Sequence, residues 1–267
     1  MTTQAGTGPN LPDLLVLPDG DALAAAAGEE IARALAAAIA ERGVAHWATT
    51  GGSAAPGMYR ALRSAPVRAT VDWSRVHIWW GDDRFVGPGD PLSNVLSYRT
   101  LFEADGEDGP GIAIPAAQVH PVPVAETIAA GGGPAEAAAA YARTLAVLAP
   151  SDAAGTPVLD LLVLGVGPDG HVLSVFPGSS AWDATAAVVA IPAPTHIEPH
   201  VPRVSLNPRV IAAARRILVV AGGASKAANL GRAWTGDDLR AVPVAATRRS
   251  NATWLLDAAA AAELPRT

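Results

Sequence analysis

Short hydrophobic runs alternate with longer amphipathic segments along most of the chain. Each short run has the length of a buried strand. The predicted strands are Leu14–Leu17, Ala45–Thr49, Val76–Trp80, Leu159–Leu164, Val188–Ile191 and Ile217–Val220. Apolar residues at helical spacing predict helices between these runs. The predicted helices are Asp21–Arg42, one from about Pro56, one around Asn94–Phe102, Pro134–Leu148, Ser225–Trp234 and an alanine-rich helix around Asp257–Leu264.

This order of strands and helices predicts an α/β fold. The expected architecture is Rossmann-like, with a mostly parallel sheet and helices on both faces. No internal repeat or domain boundary interrupts the pattern, so we expect a flexible tail over residues 1–11 and a single domain over residues 12–267. The stretches 104–111 and 131–133 are expected to be surface loops. In such folds, ligands bind beyond the carboxyl ends of the strands.

Composition and charge narrow the class of protein. No apolar run approaches the about 18 residues that span a bilayer, so no membrane association is expected. The first residues lack the basic start and apolar core of a secretory signal, and the chain has no cysteine, which together fit a cytoplasmic protein. The net charge of −6 argues against nucleic-acid binding. An anionic small molecule would need a local cluster of basic groups.

The most informative motif covers residues 159–178, LDLLVLGVGPDGHVLSVFPG. A glycine-rich turn follows the buried strand and lets backbone N–H groups approach a ligand closely, which makes Gly167 a candidate substrate-binding residue. Asp169 and His171 place a carboxylate and an imidazole at the mouth of this turn. Histidine is the side chain best suited to proton transfer near neutral pH.

The same turn fits the spacing G-x-G-x-x-G of dinucleotide-binding proteins through Gly165, Gly167 and Gly170. Its context argues against that function. The turn should open a long helix, but Pro177 and Gly178 interrupt the chain within a few residues. The next apolar run also lacks an acidic residue that would bind a ribose.

Two further strand ends carry candidate binding groups. Gly51, Gly52 and Ser53 lie between a strand and a helix, where exposed N–H groups attract phosphate, although an ordinary tight turn with a capping serine is the alternative. Asp82 and Arg84 follow the strand that ends in Trp80, and they could hold hydroxyls and a polarised oxygen. A solvated charged loop is the alternative there.

Three more polar residues complete the candidate site. Asn94 could serve as a partner for sugar hydroxyls. Arg203 lies in the motif PRVSL, and Lys226 lies at the start of a helix, where its charge opposes the helix dipole. A bound anion would explain a lysine in that place, and extension into solvent is the alternative.

The remaining histidines, at positions 46, 77, 120, 196 and 200, are expected to be structural or exposed. His196 and His200 have i, i+4 spacing, but Pro199 between them argues against a regular helix. No metal site is therefore predicted.

Taken together, these motifs resemble the 6-phosphogluconolactonase family, which belongs to a superfamily that includes glucosamine-6-phosphate deaminase. The segments that carry the resemblance are TTGGSAAPGMYRAL, WWGDDRFVGPGDPLSN, LDLLVLGVGPDGHVLSVFPGSS, PRVSLNP, GGASKAANL and TWLLDAAAA. The resemblance implies hydrolysis of 6-phospho-D-glucono-1,5-lactone to 6-phosphogluconate in the oxidative pentose phosphate pathway. It also implies that the enzyme needs no metal or organic cofactor.

The resemblance assigns roles to individual residues. It implies that His171 is the catalytic base, beside Asp169, that Arg84 is a catalytic arginine, and that Arg203 and Lys226 lie near the phosphate. Other positions depart from the family pattern: Asp83 replaces the usual glutamate, and Ala54 and Ala55 replace the usual threonine.

Two alternative functions belong to the same fold. A deaminase typically carries a glutamate a few residues after the Asp-Gly-His motif, and residues 174–177, SVFP, contain no acid. A non-catalytic sugar-phosphate sensor would carry a DNA-binding segment, and the first predicted strand begins too early for one. A monomer or a homodimer is expected.

Overall fold

The computed structural model describes residues 11–106 and 109–265, together with the backbone of residues 2–4. The strands are β1 (Thr2–Gln4), β2 (Asp13–Leu17), β3 (Ala45–Thr49), β4 (Val76–Trp80), β5 (Asp82–Arg84), β6 (Val119–His120), β7 (Leu161–Leu164), β8 (Val188–Ile191), β9 (Arg203–Leu206), β10 (Ile217–Ala221) and β11 (Ala252–Asp257). The α-helices are α1 (Gly20–Arg42), α2 (Ala55–Arg63), α3 (Ala65–Arg68), α4 (Asn94–Tyr98), α5 (Val124–Ala129), α6 (Pro134–Leu148), α7 (Pro208–Ala213) and α8 (Ala227–Thr235).

The main sheet has eight strands in the order β1-β2-β11-β10-β7-β3-β4-β6. All neighbouring strands in it are parallel except β1 and β2, which are antiparallel. The predicted α/β fold with a mostly parallel sheet and helices on both faces is confirmed. Because parallel strands end at the same edge, the turns after β3, β7 and β10 meet there.

A second, antiparallel sheet has three strands in the order β5-β9-β8. The predicted strand Val188–Ile191 therefore exists, but it belongs to this small sheet and not to the parallel one. The register sets Asp82 opposite Ser205 and Arg84 opposite Arg203. Charged residues of β5 and β9 thus lie on neighbouring strands beside the carboxyl edge of the main sheet.

The local sequence determines where helix α1 begins and ends. The Asp19 side chain caps α1 by accepting a hydrogen bond from the backbone N–H of Ala22. At the other end Gly43 is left-handed, with φ 77°, and its N–H donates to the carbonyl of Ile39. The face that includes Leu23, Ile31 and Leu35 is buried in the core.

The predicted alanine-rich helix around Asp257–Leu264 is wrong. The chain forms strand β11 up to Asp257 and then a series of turns. Trp254, Leu255 and Leu256 are buried, because β11 lies between β2 and β10 inside the sheet. A strand buried on both faces has no alternating pattern, so the alanines that follow it dominate the sequence signal.

Other predicted elements need smaller corrections. The predicted helix around Asn94–Phe102 is an α-helix only to Tyr98 and continues as a π-helix over Arg99–Glu103. The helix predicted at Ser225–Trp234 begins with a short 3-10 turn over Ala224–Lys226. Most of the predicted flexible tail, residues 1–11, lies outside the described residues, and the single domain over residues 12–267 stays a prediction.

Three histidines pack together in the main sheet, away from the predicted site. His46 and His77 are in register on β3 and β4, and their rings stack with centroids 4.7 Å apart. His77 Nδ1 and His120 Nε2 lie 2.9 Å apart. The indole N–H of Trp79 donates to His46 Nδ1 at 3.3 Å. These contacts confirm a structural role for the three histidines.

Candidate active site

A cleft opens where the carboxyl ends of β3, β7 and β10 meet the small sheet. The structure brings ten of the eleven predicted site residues into its lining. These are Gly51, Gly52, Ser53, Asp82, Arg84, Asn94, Gly167, His171, Arg203 and Lys226. The eleventh, Asp169, bonds to His171.

Asp169 and His171 form a pair within the turn after β7. The turn closes through a hydrogen bond from the N–H of Gly167 to the carbonyl of His171 at 2.9 Å, and Gly170 takes a positive φ of 84°. His171 Nδ1 lies 2.5 Å from Asp169 Oδ1. In neutral histidine, this contact places the proton on Nδ1 and leaves Nε2 with a free lone pair.

Glycine at position 167 makes room for this pair. A Cβ atom there would lie 2.1 Å from both Nδ1 and Cε1 of His171. Glycine at position 51 likewise makes room for Asn94. A Cβ atom there would lie 1.8 Å from the Asn94 amide oxygen. Both glycines therefore allow a polar side chain to rest directly on the backbone.

His196 also contacts Asp169, a contact that sequence reasoning missed. Its Nε2 atom lies 2.8 Å from Asp169 Oδ2, so that Asp169 binds an imidazole at each oxygen. Burial alone would raise the pKa of Asp169. The hydrogen bonds from His171 and His196, with the charge that His171 carries when protonated, outweigh burial and hold the pKa well below its usual range.

Phe176 packs among the basic side chains of the cleft. Its ring centroid lies 4.7 Å from that of His171 and 5.6 Å from that of His196. The guanidinium carbon of Arg203 lies 5.1 Å from the same centroid, in cation–π contact. Phe176 therefore links the histidine pair to Arg203. The sequence identified it only as part of a family motif.

Arg84 and Arg203 form the basic wall of the cleft. Nη1 of Arg84 donates to the carbonyl of Leu92 at 2.8 Å and to Asn94 Oδ1 at 3.1 Å. Arg203 is buried and donates from Nη2 to the carbonyl of Pro199 at 3.1 Å. Burial and the nearby Arg84 lower the pKa of Arg203, while Asp82 and Asp169 act in the opposite direction. The Nε atoms of both arginines have no hydrogen-bond partner among the described residues.

Asp83 holds the backbone that carries Arg84 and Asn94 in place. Its Oδ1 accepts the backbone N–H groups of Arg84 at 2.8 Å and Asn94 at 2.7 Å, and its Oδ2 accepts the Ser93 hydroxyl. Burial raises the pKa of Asp83 to about 6, against the effect of these hydrogen bonds. Asp82 Oδ2 accepts the hydroxyl of Ser174 at 2.6 Å.

The cleft lining also includes Lys226 and the turn at 51–53. Lys226 occupies the N-cap position of α8, as predicted, and its Nζ donates to the Ser225 hydroxyl at 2.8 Å. Gly52 begins a 3-10 turn with φ 71°, and α2 follows directly. The predicted basic and glycine-rich groups thus face one space with the two arginines.

Two further observations concern metal binding and membrane-spanning helices. Among the described residues, no group of three or more histidine, aspartate or glutamate side chains is arranged to hold a metal ion. None of the helices in the described ranges is both long and apolar enough to cross a bilayer.

Comparison with known proteins places the chain in a family. Residues 18–255 match the family described as glucosamine-6-phosphate isomerases/6-phosphogluconolactonase. The chain belongs to this family. A relative from Streptomyces coelicolor, named 6-phosphogluconolactonase, is 37% identical over 265 residues, which cover 96% of this chain and 95% of the relative. A Mycobacterium tuberculosis relative of the same name is 37% identical over 254 residues, or 94% of this chain and 97% of that protein.

A solved structure of a family member supports the fold. The 6-phosphogluconolactonase of Trypanosoma brucei superposes with a TM-score of 0.81 at 27% identity, over 95% of this chain and 99% of that one. Because the family description covers both isomerases and lactonases, membership alone does not separate the two activities.

Proposed function

We propose that this protein hydrolyses 6-phospho-D-glucono-1,5-lactone to 6-phosphogluconate, the second step of the oxidative pentose phosphate pathway. Near-full-length relatives at 37% identity bear the name 6-phosphogluconolactonase. The observation that carries the proposal is the His171–Asp169 pair facing Arg84 and Arg203 in one cleft. This arrangement supplies a base for water and positive charge for an anionic substrate.

His171 is the proposed general base. With Nδ1–H directed at Asp169, Nε2 is free to accept a proton from a water molecule. The water oxygen attacks the lactone carbonyl carbon to form a tetrahedral intermediate. The bond from that carbon to the ring oxygen then breaks, and His171 returns the proton to the departing oxygen. General acid–base catalysis of this kind contributes about 10²–10⁴-fold.

Arg84 is the proposed partner of the carbonyl oxygen. Asn94 and the carbonyl of Leu92 hold its Nη1, which fixes the guanidinium at the lining of the cleft. A fixed positive group near the developing oxyanion stabilises the transition state without reorganisation. Asp82, Asn94 and Gly167 are the proposed contacts for the sugar hydroxyls and ring.

Arg203 and Lys226 are the proposed phosphate ligands, together with the N–H groups of Gly51, Gly52 and Ser53. The substrate phosphate carries about −1.5 to −2 charges, whereas the protein is net acidic. A local cluster of basic side chains is therefore needed to bind it. The two basic residues line the same cleft as His171.

The second candidate, an isomerase that deaminates glucosamine 6-phosphate, lacks an acid in the expected place. Ser174 and Val175 are buried, and the Ser174 hydroxyl bonds to Asp82. Glu198 lines the cleft from another segment, but it pairs with His200 at 3.1 Å. A lactone needs no ring opening before water attacks, so the missing acid favours the lactonase.

The decisive experiment follows disappearance of 6-phosphogluconolactone with the purified protein, with the spontaneous reaction subtracted. We expect hydrolysis that survives a chelator, since no metal or organic cofactor is predicted. Activity that is lost with the chelator and returns with zinc would contradict the cofactor prediction. Ammonia release from glucosamine 6-phosphate at a comparable rate would favour the deaminase. The cytoplasmic location and the monomeric or homodimeric state stay predictions.

A further inference from the structure

The segment 192–202 reaches over the proposed base from the side of the small sheet. It links β8 to β9 and brings His196, Ile197 and Glu198 to the cleft. His196 is the member that touches the catalytic pair, at 2.8 Å from Asp169 Oδ2. No role for this histidine follows from the proposed mechanism, in which His171 and Asp169 are sufficient.

Other contacts also hold the segment 192–202 in place, so His196 is not held by Asp169 alone. His200 Nδ1 lies 2.7 Å from the carbonyl of Pro194, and His200 Nε2 lies 3.1 Å from Glu198 Oε1. Arg203 donates to the carbonyl of Pro199 at 3.1 Å. The rings of Phe176 and His196 also pack edge to face, with their planes at 89°.

The contact between His196 and Asp169 matters because a carboxylate that is held at one oxygen alone can rotate. Asp169 has two oxygens, and His171 binds only Oδ1, through Nδ1 at 2.5 Å and through its backbone N–H at 3.2 Å. With Oδ2 open to water, rotation of the carboxylate would carry Oδ1 away from the imidazole. A donor on Oδ2 fixes the rotation of the carboxylate group and keeps the Nδ1–H tautomer of His171 in place.

We propose that His196 is a positioning residue for the reaction: its Nε2–H holds Asp169 so that Asp169 orients His171. This inference rests on the proposed function for its kinetic consequences, although the contact itself does not depend on the substrate. His196 does not touch the reacting atoms in this scheme. Its loss therefore lowers kcat by misorienting His171 and leaves substrate affinity nearly unchanged.

The first test compares variants at position 196. His196→Ala is expected to lower kcat about tenfold, the size of one charge-assisted hydrogen bond, with a change in KM below about threefold. His196→Gln is expected to restore most of kcat, because its amide nitrogen can donate near the position of Nε2. Thr195→Ala is the control: this exposed residue precedes His196 on the same segment, and among the described residues it makes no hydrogen bond to Asp169.

The second test is a double-mutant cycle with Asp169→Asn. If His196 acts through Asp169, His196→Ala should cost almost nothing in kcat once Asp169 is replaced. An undiminished tenfold loss in that background would overturn the inference. Equal damage from His196→Gln and His196→Ala, or from Thr195→Ala and His196→Ala, would also overturn it.

A spectroscopic readout separates failure of this inference from failure of the proposed function. The Nδ1 proton of His171, in a 2.5 Å contact with Asp169, should give a downfield NMR signal without any substrate. We expect His196→Ala to shift or broaden this signal and Thr195→Ala to leave it in place. An unchanged signal in His196→Ala rejects the positioning role. A wild-type protein inactive on the lactone rejects the proposed function alone.

Discussion

Arg84 and Arg203 lie directly opposite each other across the antiparallel strands β5 and β9. Like charges in such a cross-strand pair destabilise a sheet. Their Nε atoms also lack hydrogen-bond partners among the described residues. A bound anion in the cleft, which both side chains line, would reduce this repulsion. The pair therefore indicates a cleft whose charges are arranged for a multiply charged, negative ligand.

Arg203→Ala and Lys226→Ala are expected mainly to raise KM for the phosphorylated lactone. Each change removes a charge-assisted hydrogen bond worth about 1.5–3 kcal/mol, which corresponds to roughly tenfold to a hundredfold. Steady-state kinetics on 6-phosphogluconolactone measures the effect. Slow turnover of unphosphorylated gluconolactone should hardly change, because that substrate has no phosphate to lose.

A matched control for these variants is Arg209→Ala. Arg209 is exposed on α7 and donates to the carbonyl of Thr185, outside the cleft lining. It removes the same charge from the protein, so it measures any effect of net charge alone. If Arg203→Ala weakens both lactones equally, Arg203 supports the carbonyl chemistry or the fold instead of binding phosphate.

His171→Asn is expected to lower kcat by about 10²-fold or more, because the base is removed from the mechanism. Binding of the product 6-phosphogluconate, measured by calorimetry, should remain. Near-normal kcat after subtraction of the spontaneous reaction would remove His171 from the mechanism.

Gly167→Ala is expected to abolish most activity while the protein remains folded. The added methyl group would lie 2.1 Å from the His171 ring, so the imidazole must leave its place beside Asp169. Gly87→Ala is the control, since a methyl group there meets nothing within 4 Å. Kinetics and thermal unfolding of both variants check the prediction. Equal kcat values in the two variants would contradict it.

The stacked histidines of the main sheet predict a dependence of stability on pH. Burial, with the neighbouring imidazoles, lowers the pKa of His46 and of His120 from 6.5 to about 4. The unfolded chain therefore binds more protons than the folded one between these values. These histidines leave the free energy of unfolding unchanged above pH 6.5. As the pH falls from 6.5 towards 4, they lower it.

His46→Asn tests this prediction. Its amide oxygen can accept the Trp79 N–H near the position of Nδ1, but it does not titrate in this range. We expect the free energy of unfolding, measured with denaturant, to fall less steeply in the variant between pH 6.5 and pH 4. The raised pKa of Asp83 acts in the opposite direction in both proteins, so the comparison removes it. Equal slopes would assign the acid sensitivity to other groups.

Much of the fold and the site could be predicted from local sequence. Strands β3, β4 and β8 have the predicted bounds, because short runs of mostly apolar residues identify strands. The site residues other than Arg203 converge because their motifs follow parallel strands that end at the same edge. Topology therefore brings Ser53 and His171 together although they are far apart in the chain.

The missed features depend on contacts between distant segments. Strand β5 has three residues and β9 has four, too few for a hydrophobic period, and their pairing joins positions about 120 residues apart. His196 lies in a proline-rich stretch that gives no helical or strand signal. Its contact with Asp169 exists only because β8 and β9 bring their connecting segment back over the cleft.

The place of β11 in the sheet has a consequence for synthesis of the protein. This strand, near the end of the chain, lies between β2 and β10, and among the described strands β2 has only β1 and β11 as neighbours. The ladder from β2 to β11 therefore cannot form until residues 252–257 have left the ribosome. Until then, β2 and one side of β10 offer open edges, which favour aggregation in nascent chains. A truncation before Ala252 would make this exposure permanent.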